Sequence, residues 1–194
     1  MSAVLAGHAV KATFFVWGEQ AVARPEIVRE MVGSGHSVQP HCWEHKSHLD
    51  MTASEIAADI DRVLNLLADL GTPIPHLWRP PWGHVQTSVT RAVALERGLD
   101  LAGWTIDSTD YAGTTAAAMY DLVTETIARS DTKEHVLLMH DSCLEPGQLA
   151  MRTDVDQTVK VVRLLLADGH ECAPLERGID AGLDEQAARQ TLKR

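Results

Sequence analysis

Short apolar, β-favouring runs alternate with helix-patterned segments along most of this chain, and that alternation restricts its fold more than any other feature. Residues 11–17 are apolar and β-favouring, and Gly18 stops them. Residues 24–32 read as a helix with Pro25 in its first turn. Residues 35–39 form a short strand that runs into His41. A helix then starts at Thr52 or Ser54 and continues to Leu70. Thr52 and Glu55 have the spacing of a capping box, and Ile56, Ile60, Val63, Leu64 and Leu67 share one face. Residues 76–79 are extended, residues 87–98 helical with Gly98 at the end, and residues 99–106 a strand. Residues 116–129 are helical and residues 135–139 a buried strand. The last helix covers residues 154–169, and residues 171–175 form a final strand. Strands separated by helices imply an α/β fold with a largely parallel sheet or barrel. Such folds collect ligands at the carboxyl ends of their strands.

The 194 residues suit one domain over residues 1–178 with a polar tail at 179–194. Lys and Arg number 17 against 27 Asp and Glu, a formal net charge of −10. That balance excludes the basic face a nucleic-acid grip needs, and a polybasic membrane contact. Cys42, Cys143 and Cys172 make neither an even framework nor a Cys-x-x-Cys pair, so reduced thiols in a cytosol are expected. No run is apolar and long enough to span a bilayer, and no basic segment opens a signal sequence. A cytoplasmic location follows as the expectation.

Four polar clusters lie where these strands end. His41 and His45, four apart, can share a metal ion, or belong to a histidine-rich loop in a chain with 10 histidines. Arg79 precedes two prolines, Trp82 and Gly83, a stiff turn in which the guanidinium can orient a carboxylate or stay solvated. Asp107 and Asp110 can bind metal, orient a histidine, pair with an arginine or cap a turn. His140 follows a buried strand and is either a core residue or a proton-transfer group. Together this inventory suits metal-assisted hydrolysis of an amide or ester.

Taken in order, the clusters resemble the polysaccharide deacetylases, the NodB-homology carbohydrate esterases of family four. The likeness runs from about residue 4 to residue 175. Residues 11–16 resemble the family's second strand, and His41-Cys42-Trp43-Glu44-His45 its metal-binding histidine motif. Arg79-Pro80-Pro81-Trp82-Gly83 resembles its Arg-x-Pro-Tyr-Gly motif, with Trp82 in the tyrosine's place. Asp107 to Tyr111 resembles Asp-x-x-Asp-Trp, and residues 137–141 its final Leu-Leu-His-Asp. The resemblance implies a distorted (β/α) barrel and metal-dependent removal of acetyl groups from an N-acetylated amino sugar or glycan. His41 and His45 would hold a divalent metal, zinc first, with cobalt or nickel possible. His140 would be the general acid, Asp110 and Asp107 would hold or tune it, and Arg79 would orient the base. Trp82, Tyr111 and Leu138 would line the groove.

The family's first motif, Thr-Phe-Asp-Asp-Gly, supplies the general base and a third metal ligand, and it has no counterpart in this sequence. Three explanations stay open. The motif lies upstream of residue 1, or the chain binds metal weakly, or Glu19, Asp107 or Asp110 substitutes. A barrel missing its first strand would bare a strand edge, so a homodimer is expected. Two other functions also stay open: a carbohydrate-binding relative with little or no activity, and a hydrolase of another non-peptide C–N bond in a cyclic amide or imide.

Overall fold

A computed structural model describes residue 5 and residues 7–85, 87–141 and 155–175. The expected polar tail and Cys143 lie outside the described residues. The described chain gathers into two compact units. One is Lys11–Gly103; the other joins the described residues up to Val10 to those from Trp104 onward.

In the Lys11–Gly103 unit the order is β1 (Thr13–Trp17), α1 (Gly18–Ala23), α2 (Pro25–Gly33), β2 (Ser37–Cys42), α3 (Ala53–Asp69), β3 (Leu77–Trp78), α4 (Thr87–Glu96) and β4 (Asp100–Leu101). β1 and β2 run parallel, with Thr13 opposite Ser37 and Trp17 opposite Cys42, and the register shifts between Val16 and Trp17. Parallel strands cannot be joined by a tight turn, so the chain crosses back through α1 and α2. Pro25 occupies the first turn of α2, where its missing N–H costs no hydrogen bond. β3 and β4 also pair in parallel. Gln39, buried in β2, reaches β3: its Oε1 accepts from the N–H groups of His76 at 3.1 Å and Leu77 at 3.0 Å.

The capping box forms at the start of α3. Thr52 N–H donates to Glu55 Oε2 at 2.7 Å, and Glu55 N–H donates to Thr52 Oγ1 at 3.3 Å. Ile56, Ile60, Val63 and Leu67 are all fully buried, a spacing of four, three and four that keeps them on one face. That stripe serves two clusters. Val63 and Leu67 pack with Val28, Met31 and Val38, and Ile56 and Ile60 pack with Trp78, Val93 and Leu99. Each such side chain contributes roughly 1.5–3 kcal/mol by leaving water, so α3 anchors the whole unit.

The other unit contains β5 (Ile106–Asp107), α5 (Ala116–Ala128), β6 (Leu137–Leu138) and α6 (Val155–Ala167). β5 and β6 are parallel, with Ile106 opposite Leu137 and Asp107 opposite Leu138. Ile106, Met119, Val123, Val161 and Leu165 form its core.

The α/β class expected from the sequence is present, with three corrections. The strand expected over residues 99–106 is two short strands. Ala102 N–H still donates to Trp78 carbonyl, whereas Thr105 N–H donates to Val136 carbonyl, so the segment changes partner around Gly103. Residues 135–139 pair as a strand only at Leu137 and Leu138. No strand forms over residues 171–175, which follow Gly169 in a left-handed turn (φ 87°). Helix α1, directly after β1, is the element that apolar patterning missed. Among the described residues no helix is long and apolar enough to cross a membrane.

Candidate active site

Each unit carries one group of the expected side chains, delivered by strand ends. In the Lys11–Gly103 unit, β2 presents His41, and the turn after it presents His45. Trp78 Nε1–H donates to His41 carbonyl at 2.9 Å, which fixes the backbone there. His41 Nδ1 lies against the Arg79 carbonyl. A carbonyl only accepts, so Nδ1 carries a proton, and in the neutral ring the lone pair is on Nε2. His45 stacks on Trp17, with ring centroids 4.7 Å apart and planes at 19°. Trp82 meets the same imidazole with centroids 4.2 Å apart and planes at 61°. The His41 and His45 rings lie 5.0 Å apart, close enough for one nitrogen of each to reach a common ion at ~2.0–2.1 Å. In donor chemistry the pair therefore fits a divalent metal. Among the described residues no three His, Cys, Asp or Glu side chains gather to hold one, so the pair would supply two ligands of a site that normally has at least three from the protein.

Arg79 points its guanidinium into the unit. Nη2 donates to Gly103 carbonyl at 2.8 Å and Nε to Ala102 carbonyl at 3.3 Å. The Phe15 ring lies 4.3 Å from its Cζ. Burial pushes this guanidinium down to about 10, so it remains protonated at neutral pH. Trp82 follows in a turn with φ 52° and ψ 12°, the left-handed region that a bulky residue rarely adopts. Such a conformation costs on the order of 1–3 kcal/mol. Pro80 and Pro81 before it and Gly83 (φ 67°) after it hold the turn in place. Trp82 is 45% exposed beside His45, and its ring also lies 5.6 Å from that of His84.

In the other unit, β5 and β6 place Asp107 beside Leu138, and their continuations carry Asp110 and His140. His140 Nδ1–H donates to Asp110 Oδ1 at 2.8 Å. His140 backbone N–H donates to Asp110 Oδ2 at 2.6 Å, and Thr158 Oγ1 donates to the same oxygen at 3.4 Å. Asp110 is 2% exposed, while the His140 side chain is 35% exposed. The buried carboxylate thus fixes the imidazole by ring and by backbone, and leaves Nε2 as the ring nitrogen not bound to Asp110. Asp107 has a different task. Its Oδ1 accepts from Thr109 N–H at 2.9 Å, the turn chemistry Asp favours, and its Oδ2 accepts from Tyr111 hydroxyl at 3.3 Å. Burial, then the Asp107 charge, hold the Tyr111 phenol above its ordinary pKa. The Tyr111 ring stands edge-on to His140 at 5.5 Å and 88°. Leu138 is 9% exposed, a core position more than an open wall. Thr109 is left-handed (φ 56°), uncommon for a β-branched residue.

Trp17, Phe15 and Thr158 touch these groups and were not singled out from sequence. Trp17 ends a strand, which is a usable signal. Phe15 and Thr158 read as ordinary strand and helix positions.

Residues 1–102 match the family described as Polysaccharide deacetylase. A chitooligosaccharide deacetylase of Sinorhizobium fredii is 32% identical over 177 residues, covering 87% of this chain and 77% of that protein. The peptidoglycan-N-acetylglucosamine deacetylase PgdA of Listeria monocytogenes is 31% identical over 134 residues; the match spans 69% of this chain but only 27% of PgdA. Among solved structures, a family 4 carbohydrate esterase from Streptomyces lividans in complex with acetate shares the fold. The TM-score is 0.72 at 24% identity, over 88% of this chain and 82% of that one.

Proposed function

Since this chain belongs to the polysaccharide deacetylase family, we propose that it is a hydrolase that removes acetyl groups from the nitrogen of an N-acetylated amino sugar in a glycan. The names of its peptidoglycan and chitooligosaccharide relatives support that substrate class. The observation that carries the reaction is the His140–Asp110 pair at 2.8 Å. An amide nitrogen leaves only as it gains a proton. His140 Nε2 is the donor: Asp110 holds Nδ1–H, which sets the tautomer and complements the charge the ring bears while protonated. Tyr111 walls the imidazole on one side. His41 and His45 would hold a divalent metal, with zinc, cobalt or nickel as the candidates. That ion would supply polarisation of the acetyl carbonyl and activation of water. Trp82 offers an exposed ring beside His45 on which a sugar can stack. Arg79 braces the turn that carries Trp82. The distorted barrel implied by the resemblance belongs to the same reading, and the parallel pairings inside each unit support it.

The test is acetate release from oligomers of N-acetylglucosamine with zinc, cobalt or nickel added in turn. Turnover that a chelator removes is the expected result. A folded, metal-loaded chain that releases no acetate, but opens a cyclic imide, would replace this reading with the other C–N hydrolase.

A further inference from the structure

The turn between His41 and His45 is gripped by a helix that carries no ligand. Trp43 sits midway in that turn, and its backbone N–H donates to both oxygens of Asp59, at 3.1 Å and 3.0 Å. Asp59 lies on α3, and its side chain is 12% exposed. The bond is charge-assisted, so it is stronger than one to a neutral acceptor. One carboxylate oxygen is also 3.6 Å from Nε2 of the fully buried His48, three residues past His45. Arg62, one turn along α3 on the same face, lays its guanidinium 3.8 Å from the Trp43 ring centroid. Gly18 leaves room for that ring: a Cβ there would stand 2.3 Å from Trp43 Cε3. One acidic side chain therefore ties the middle of the His41–His45 turn, and the buried histidine that follows it, to the helix that anchors the unit.

We propose that Asp59 is a positioning residue that sets the spacing of the His41 and His45 rings. Its consequence for metal uptake rests on the reading of those two histidines as ligands; the positional claim does not. Residues behind a ligand shell typically change metal affinity by about 10–100-fold when removed. Asn in place of Asp59 keeps an oxygen for the Trp43 amide, whereas Ala keeps none.

The experiment uses the full chain, isotope-labelled and metal-free, in the wild type, Asp59→Asn and Asp59→Ala. The first readout is the cross-relaxation between His41 and His45 ring protons, which a 5.0 Å centroid separation makes visible. The second is zinc affinity by calorimetry. D59A is expected to lose the ring-to-ring signal and to bind zinc about 10–100-fold more weakly, while D59N keeps the signal and most of the affinity. Arg97→Ala is the stability control: it removes the Asp61 pair on the same helix and should leave zinc binding unchanged. A ring-to-ring signal that survives in D59A overturns the proposal, as does a zinc loss in R97A equal to that in D59A. A wild type with the ring-to-ring signal but no zinc uptake overturns the ligand reading instead, and the signal still decides the position. If D59A does not fold, D59N decides. Losing the charged acceptor must move the Trp43 amide resonance upfield, and an unmoved resonance overturns the proposal.

Discussion

His41 in the Lys11–Gly103 unit and His140 in the other unit both give their Nδ1–H to an oxygen, but the oxygens differ in charge. His41 meets a neutral backbone carbonyl, whereas His140 meets a buried carboxylate at 2.8 Å. A neutral acceptor selects the tautomer of the uncharged ring, the form a metal needs. A carboxylate also complements the charge that a proton brings, which suits a group that must carry a proton and release it. The supports differ in the same sense. Aromatic rings enclose His45, from Trp17 and Trp82, while Asp110 is anchored by the His140 amide and the Thr158 hydroxyl. Both groups also include a side-chain-bearing residue held left-handed, Trp82 in one and Thr109 in the other.

With the roles proposed for the two groups, that contrast predicts effects of descending size. The double variant His41→Ala/His45→Ala should lose bound metal entirely, by elemental analysis after dialysis, and all turnover with it. Stoichiometric metal in that variant would move the ligand role out of this unit. His140→Ala should take up metal as the wild type does but lower kcat by about 10²–10⁴-fold. Equal loss of metal in H140A would erase the contrast between the two histidines. Gly18→Ala should destabilise the Lys11–Gly103 unit by roughly 1–3 kcal/mol in urea unfolding, because the new Cβ overlaps the Trp43 ring. An unchanged midpoint would mean that Trp43 can move aside.

The smallest effect concerns Arg97, whose Nε and Nη2 bind both oxygens of Asp61 at 2.6 Å and 2.8 Å. The Asp61 side chain is 48% exposed, so R97A should cost no more than about 1 kcal/mol. Hydrogen bonding to Arg97 holds the Asp61 carboxyl below its ordinary pKa. Its contribution is therefore fully present above the unfolded carboxylate value and fades as pH falls through the folded one. The gap between wild type and R97A should narrow as pH falls below the ordinary carboxylate range, about pH 4; a gap that does not change with pH would assign the effect to packing.

Much of this was legible in the chain. The Thr52 capping box and the apolar spacing from Ile56 to Leu67 specify α3 locally, since both act within a few residues. Residues 99–106 defeated the same reasoning. Their strand propensity is continuous, yet their two ends hydrogen-bond to different partners, and partner choice is not a local property. Asp59 and Thr158 were invisible for a related reason: each is an ordinary helix residue until the fold brings Trp43 or Asp110 against it.

The sequence by itself determined the alternation of strands and helices, the cap and core stripe of α3, and the residue types at four strand ends, because periodicity, caps and turn chemistry are set by near neighbours. Only the tertiary structure decided which carboxylate serves which group. It gave Asp110 to His140, Asp107 to a turn and to Tyr111, and Asp59 to the Trp43 amide. Asp107 stays with near neighbours, but the Asp110–His140 and Asp59–Trp43 pairings span separations that strand and helix patterns do not encode, and both are settled by which oxygen lies nearest a donor once the apolar faces have packed.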